Sequence, residues 1–146
     1  MKINEKSFTL IELVIIILLV GILAVAVGPK MSINSFKSES ELNSLIANIR
    51  YAQHKSIVSG GSWKLEINSN SYTVKDDTGN NANLPGGENP VNVSYNITSN
   101  YAEFYFDYLG RPDSDNDSKN NNLINQNIII SFDSYSIKIN PVGGIE

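Results

Sequence analysis

Four carboxylates stand where their spacing could do chemistry. Glu12 is the one acid in the run "FTLIELVIIILLVGILAVAVGP", Phe8 to Pro29, which contains no cation to neutralise it. Asp113, Asp115 and Asp117 alternate in the loop "RPDSDNDSKNNNLINQN". Hard cations take several carboxylate and carbonyl oxygens at once, so alternating aspartates are a calcium pattern. The fit is partial: position six of such a loop is Ser118 instead of glycine, and position twelve is Ile124 instead of a bidentate glutamate. The favoured expectation is an acidic, asparagine-rich solvated loop with no metal, and calcium is the alternative.

Other chemistries find little footing. The chain has no cysteine, which removes disulfides and thiolate metal sites, and its single histidine, His54, falls near the end of an amphipathic helix and reads as a surface residue. No carboxylate pair or hydroxyl nucleophile carries a recognisable motif, so neither an enzyme nor a resident cofactor is expected. Fifteen Asp and Glu against eleven Lys and Arg give a net charge of −4, which argues against general affinity for nucleic acid phosphates. Past the apolar N-terminus the 146 residues leave room for one domain of roughly 100 residues.

The element that must position Glu12 is the apolar run itself. From Phe8 to Val27 only Thr9, Glu12 and Gly21 interrupt it, about the twenty residues that cross a bilayer as a helix. Lys2 and Lys6 precede it, which places the N-terminus in the cytoplasm and the rest outside, although Lys30 weakens the asymmetry. A secretory signal cut near Ala24-Val25-Ala26 and a plain uncleaved anchor are the simpler readings. Neither needs a charge that costs about 2.5–3.5 kcal/mol at a helix centre, even if the cost falls near the cytoplasmic end.

The stretch "SFTLIELVIIILLVGILAVAVGP" resembles the N-terminal segment of type IV prepilins and type II secretion pseudopilins. The shared features are a short basic leader, Phe8 at the cleavage point, Glu12 four residues on, and an apolar helix with Gly21 and Pro29. The resemblance implies cleavage between Ser7 and Phe8 by a prepilin peptidase/methyltransferase, with N-methylation of Phe8. It also implies that Glu12 pairs with the α-amino group of Phe8 on a neighbouring subunit, so that two charges costly in an apolar bundle neutralise each other. The implied partners are other pilin or pseudopilin subunits and an inner-membrane assembly platform. The implied location is the bacterial inner membrane as a single-pass protein, and then a pilus or pseudopilus. Ser7 departs from the glycine usual before the cut, which predicts slower processing.

Beyond Pro29 the pattern becomes amphipathic, with Leu42, Leu45, Ile46, Ile49, Ala52 and Ile57 on one helical stripe. Pro29 predicts a kink, and Ser38 followed by Glu41 resembles a capping box where the helix could restart. If continuous, helix from Phe8 to Ser59 would run roughly 80 Å. Gly60-Gly61 ends it. The period then switches to two: Trp63, Leu65 and Ile67 lead through a turn to Tyr72 and Val74; Asp76 to Pro90 is a loop; Val91, Val93, Tyr95 and Ile97 alternate, as do Phe104 and Phe106. "NIIISF" and "YSIKI" form a last hairpin across Asp133-Ser134, with Tyr135, Ile137 and Ile139 on one face. The class is α+β: a long N-terminal helix, membrane half and amphipathic half, packed on an antiparallel sheet. The expected divisions are a leader at 1–7, an assembly helix at 8–28, an amphipathic helix at 29–60 and a head at 61–146.

"FDYLGRP", "IIISF", "YSIKI" and "PVGGIE" resemble the C-terminal half of GspH/FimT-type minor pseudopilins, and "IRYAQHKSI" their helix end. This resemblance implies a minor pilin or pseudopilin, a structural subunit of a type IV pilus or type II secretion pseudopilus. Two contrasting readings are a membrane-anchored extracytoplasmic binding module, such as a calcium-dependent adhesin, and a DNA-uptake subunit. The latter uses a basic C-terminal region, whereas this chain ends "GGIE". Arg111 reads first as a turn residue.

Overall fold

The computed structural model describes residues 9–26, 33–117 and 122–146. The chain divides into two compact units, Met1–Ile33 and Asn34–Glu146. The first holds helix α1, Leu10–Ala26, and the second begins within helix α2, Ile33–Ser59. The expected kink at Pro29, and the continuity of the two helices, lie outside the described residues.

Helix α2 corrects two expectations. It runs through Ser38 without restarting, and Ser38 is buried inside it. The Glu41 carboxylate instead accepts the backbone N–H and the hydroxyl of Ser94, each at 2.9 Å. Ile57 is half exposed, and its neighbour Ser56 is the residue at 0% exposure. Ser56 turns inward because its hydroxyl donates to the Phe106 carbonyl, which ties the helix end to the sheet. Asn48, off the apolar stripe, is also buried, and its amide donates to the Tyr72 hydroxyl at 2.8 Å. As expected, Gly60 stops the helix, at φ 69°, with its N–H on the Ser56 carbonyl.

Among the described residues eight strands follow, in two antiparallel sheets. They are β1 (Trp63–Asn68), β2 (Ser71–Lys75), β3 (Val91–Asn92), β4 (Ile97–Ser99), β5 (Glu103–Phe106), β6 (Pro112–Asp113), β7 (Ile128–Phe132) and β8 (Tyr135–Ile139). The larger sheet has the order β3-β2-β1-β5-β6 and the smaller one β4-β7-β8. The fold is α+β, as the alternating patterns predict, with one correction. Val91 to Ile97 is not one strand: β3 pairs with β2 in the larger sheet, and β4 pairs with β7 in the smaller. Between them Val93 and Ile97 donate to the carbonyls of Asn70 and Ser69, so the segment crosses between sheets while keeping alternate side chains inward. Leu45, Ile49 and Ala52 of α2 share one core with Leu65, Val74, Phe104 and Phe106 of the larger sheet and Ile130, Phe132 and Ile137 of the smaller.

Asp107 organises the turn between β5 and β6. Its carboxylate, at 0% exposure, accepts from the Leu109 and Arg111 backbone N–H groups and from Arg111 Nε and Nη2, the last at 2.7 Å. Gly110, at φ 75°, completes the turn, and Gln53 of α2 donates its amide to the carbonyls of Gly110 and Gly143 at 3.1 and 2.8 Å. "FDYLGRP" is thus an ion-paired corner, buried at Asp107 and exposed at Tyr108 and Leu109, held against the helix end, and Arg111 is a turn residue.

Two outcomes follow for the full chain in detergent, read by chemical denaturation. Ile49→Ala should lower stability by about 2–5 kcal/mol, and Ile57→Ala by less than about 1 kcal/mol. Asp107→Ala should cost about 2–4 kcal/mol, because it strands a guanidinium and two backbone donors together; a loss under about 0.5 kcal/mol would contradict the corner's role.

Candidate functional site

Glu12 stands in the first turn of α1. Thr9 caps that helix: its hydroxyl oxygen accepts the Glu12 N–H at 3.3 Å, and its carbonyl accepts from Glu12 and Leu13 at 3.1 and 3.2 Å. Thr9-Leu10-Ile11-Glu12 is therefore a capping sequence, which puts the acid at the third helical position, where the macrodipole favours negative charge. That support is about 0.3–1 kcal/mol at an exposed site, less than the cost of burying a charge among apolar groups. The helix dipole supports the carboxylate but cannot offset its burial, so an apolar setting demands a cation from elsewhere. Sequence reasoning missed Thr9, though the signal was present; the same pattern at Ser38 misled because burial there overrode it.

The rest of α1 offers no polar face. Every side chain from Leu10 to Leu23 is exposed, among them Leu10 at 81% and Ile11 at 70%. A helix apolar all round needs lipid or other helices around it. Among the described residues no helix is long and apolar enough to cross a membrane. The expected span ran from Phe8 to residue 28, and both of its ends, like Ser7, lie outside the described residues.

The three aspartates come together on the head. One carboxylate oxygen from each of Asp113, Asp115 and Asp117 falls within 4.8 Å of the other two. The loop curls because Asp113 Oδ1 accepts the Asp115 N–H at 3.2 Å and Asp115 Oδ1 the Asp117 N–H at 3.4 Å. Its base is pinned by an antiparallel bridge between Asp113 and Leu123, by Ser114 donating to the Asn122 carbonyl, and by Ile124 donating to the Pro112 carbonyl. Asp113 is 1% exposed, so the expectation of a solvated loop fails at this residue. Burial raises its carboxyl above the usual range, and Asp115 and Asp117 push the same way against two backbone donors. Ile124, at the position a calcium loop would give to glutamate, is buried in the core; Ser118 lies outside the described residues. Among the other candidates, His54 is exposed and Arg111 is paired with Asp107.

Comparison with known proteins bears on the segment that contains Glu12. No curated protein and no solved structure matches the chain. Residues 2–28 match the family model of the prokaryotic N-terminal methylation motif, which agrees with the resemblance of this stretch to type IV prepilins and pseudopilins.

Proposed function

We propose that this chain is a minor pilin or pseudopilin, a structural subunit of a type IV pilus or type II secretion pseudopilus. In this reading it is made as a membrane-anchored precursor, cut between Ser7 and Phe8, and N-methylated on Phe8. The observation that carries the reading is α1, a helix without a polar face whose first turn holds one acid, inside a segment that matches the methylation motif. In the bilayer, lipid covers the apolar surface and Glu12 stays near the cytoplasmic interface. In a filament, helices of neighbouring subunits replace the lipid, and the Phe8 amine of one subunit meets Glu12 of another. Each partner then removes the other's desolvation cost, which makes pairing a condition for assembly. The minor role rests on the corner at Asp107 and the closing β7-β8 hairpin, which fit the sequence likeness to minor pseudopilins. The head supplies lateral contacts and the assembly machinery extracts the subunit from the membrane.

Two experiments test this reading. Mass spectrometry of the protein from its native membrane should give an N-terminus at methylated Phe8; Met1 or Val27 would refute the processing. Glu12→Ala should leave insertion unchanged and cut recovery in sheared filaments or pseudopili by tenfold or more. Unchanged recovery would mean that α1 is only a tether.

A further inference from the structure

Asp113 is a buried carboxylate with half of its acceptor capacity unused. Its Oδ2 has no hydrogen-bond partner, the one such atom among the buried side-chain oxygens and nitrogens of the described residues. Among the described residues no lysine or arginine pairs with Asp113 or Asp115. Elsewhere on the head a buried acid is fully engaged: Asp107 holds four donors. An ionised carboxylate left short of partners in the interior is costly, and two more carboxylates beside it add repulsion. A fold that keeps three together on a pinned loop gains most from a multiply charged cation.

We propose that Asp113, Asp115 and Asp117 form a binding site for a divalent cation of the calcium class. Calcium binds oxygen at about 2.3–2.6 Å, so two ligands on opposite sides of one ion stand roughly 4.6–5.2 Å apart. Three oxygens within 4.8 Å of one another are close enough to converge on one ion of that size. Magnesium, at about 2.0–2.1 Å, demands a stricter octahedron and gives up its waters reluctantly, so a loop of carboxylates suits the larger ion. Three carboxylates, one oxygen each, make up at most half of the six to eight ligands calcium takes, and water and nearby carbonyls complete the shell. The side chain of Asn122 donates to Asp115 Oδ2 and steadies that carboxylate. The ion would fasten the loop to the end of β6, at the edge of the larger sheet. The site is not an EF-hand, since the position for the closing glutamate is a core isoleucine. It stands on the head alone and does not depend on the assembly reading.

The test uses the full chain in detergent, stripped with chelator and melted with calcium chloride, with magnesium chloride, and with sodium chloride at matched ionic strength. With affinity in the 0.1–1 mM class of extracellular modules, calcium at ten times the dissociation constant should raise the melting temperature by about 5 °C. Magnesium should raise it by less than half as much, and sodium not at all. Asp113→Asn should melt at or above the calcium-free wild type, because it removes the uncompensated charge, and should lose the calcium response. Asp115→Asn, at a more accessible position, should weaken calcium binding tenfold or more by titration calorimetry and keeps the question open to test if the first variant fails to fold. No calcium shift in the wild type, an equal shift with magnesium, or a shift that survives both substitutions would overturn the proposal.

Discussion

The constraint on which the rest depends is that α1 has no side of its own to turn toward water. Its large side chains are exposed from Leu10 to Leu23, and each is worth about 1.5–3 kcal/mol when removed from water. Any covering that meets this demand must also accommodate Glu12, whose charge the capped first turn does not neutralise. Lipid meets the first demand and penalises the second. A bundle of like helices meets both, provided it brings an amine to the acid. The head is under no such tension, because its core closes on itself between α2 and two sheets.

The elements with the strongest periodicity were the most legible. The hairpin β1-β2, the strand β5 and the hairpin β7-β8 form where Trp63, Leu65, Ile67, Phe104, Phe106, Ile128 and Ile130 take every second position and turn inward. Gly60 ended α2 at the expected place because an αL residue leaves few alternatives. What misled was polarity that turns inward. Ser38, Asn48 and Ser56 lie on the buried face of α2, where sequence periodicity placed Ile57, because hydrogen bonds compensate their burial and hydropathy does not record partners. Val91 to Ile97 read as one strand because alternation survives a crossover between sheets. Strand β6 was missed altogether: two residues, one of them proline, carry no period.

The candidate sites divided in the same way. Glu12 was legible because a charge in an apolar run is conspicuous whatever the fold. Its cap, Thr9, needed only the residue three positions before the acid. Asp113 was legible as a residue type and not as an environment. Alternating aspartates in a polar loop look solvated, and only the pairing of the loop's two ends beside β6 buries the first of them. Asp107 went unnoticed for a related reason, since its four donors come from a turn whose shape they create. Both acids show that the edge of the larger sheet is where the head concentrates buried charge, satisfied at the corner and unsatisfied in the loop.

The central claim is that other subunits' helices cover α1. The chain has no cysteine, so single substitutions at Val14→Cys and Val20→Cys report contacts without background from its own thiols. Oxidation in cells that contain the assembly machinery should cross-link these positions to a cysteine placed in the corresponding helix of another subunit, and adding Glu12→Ala should abolish the product. Cross-links that are absent, or that form equally well with Glu12→Ala, would contradict the account and leave α1 as a membrane tether.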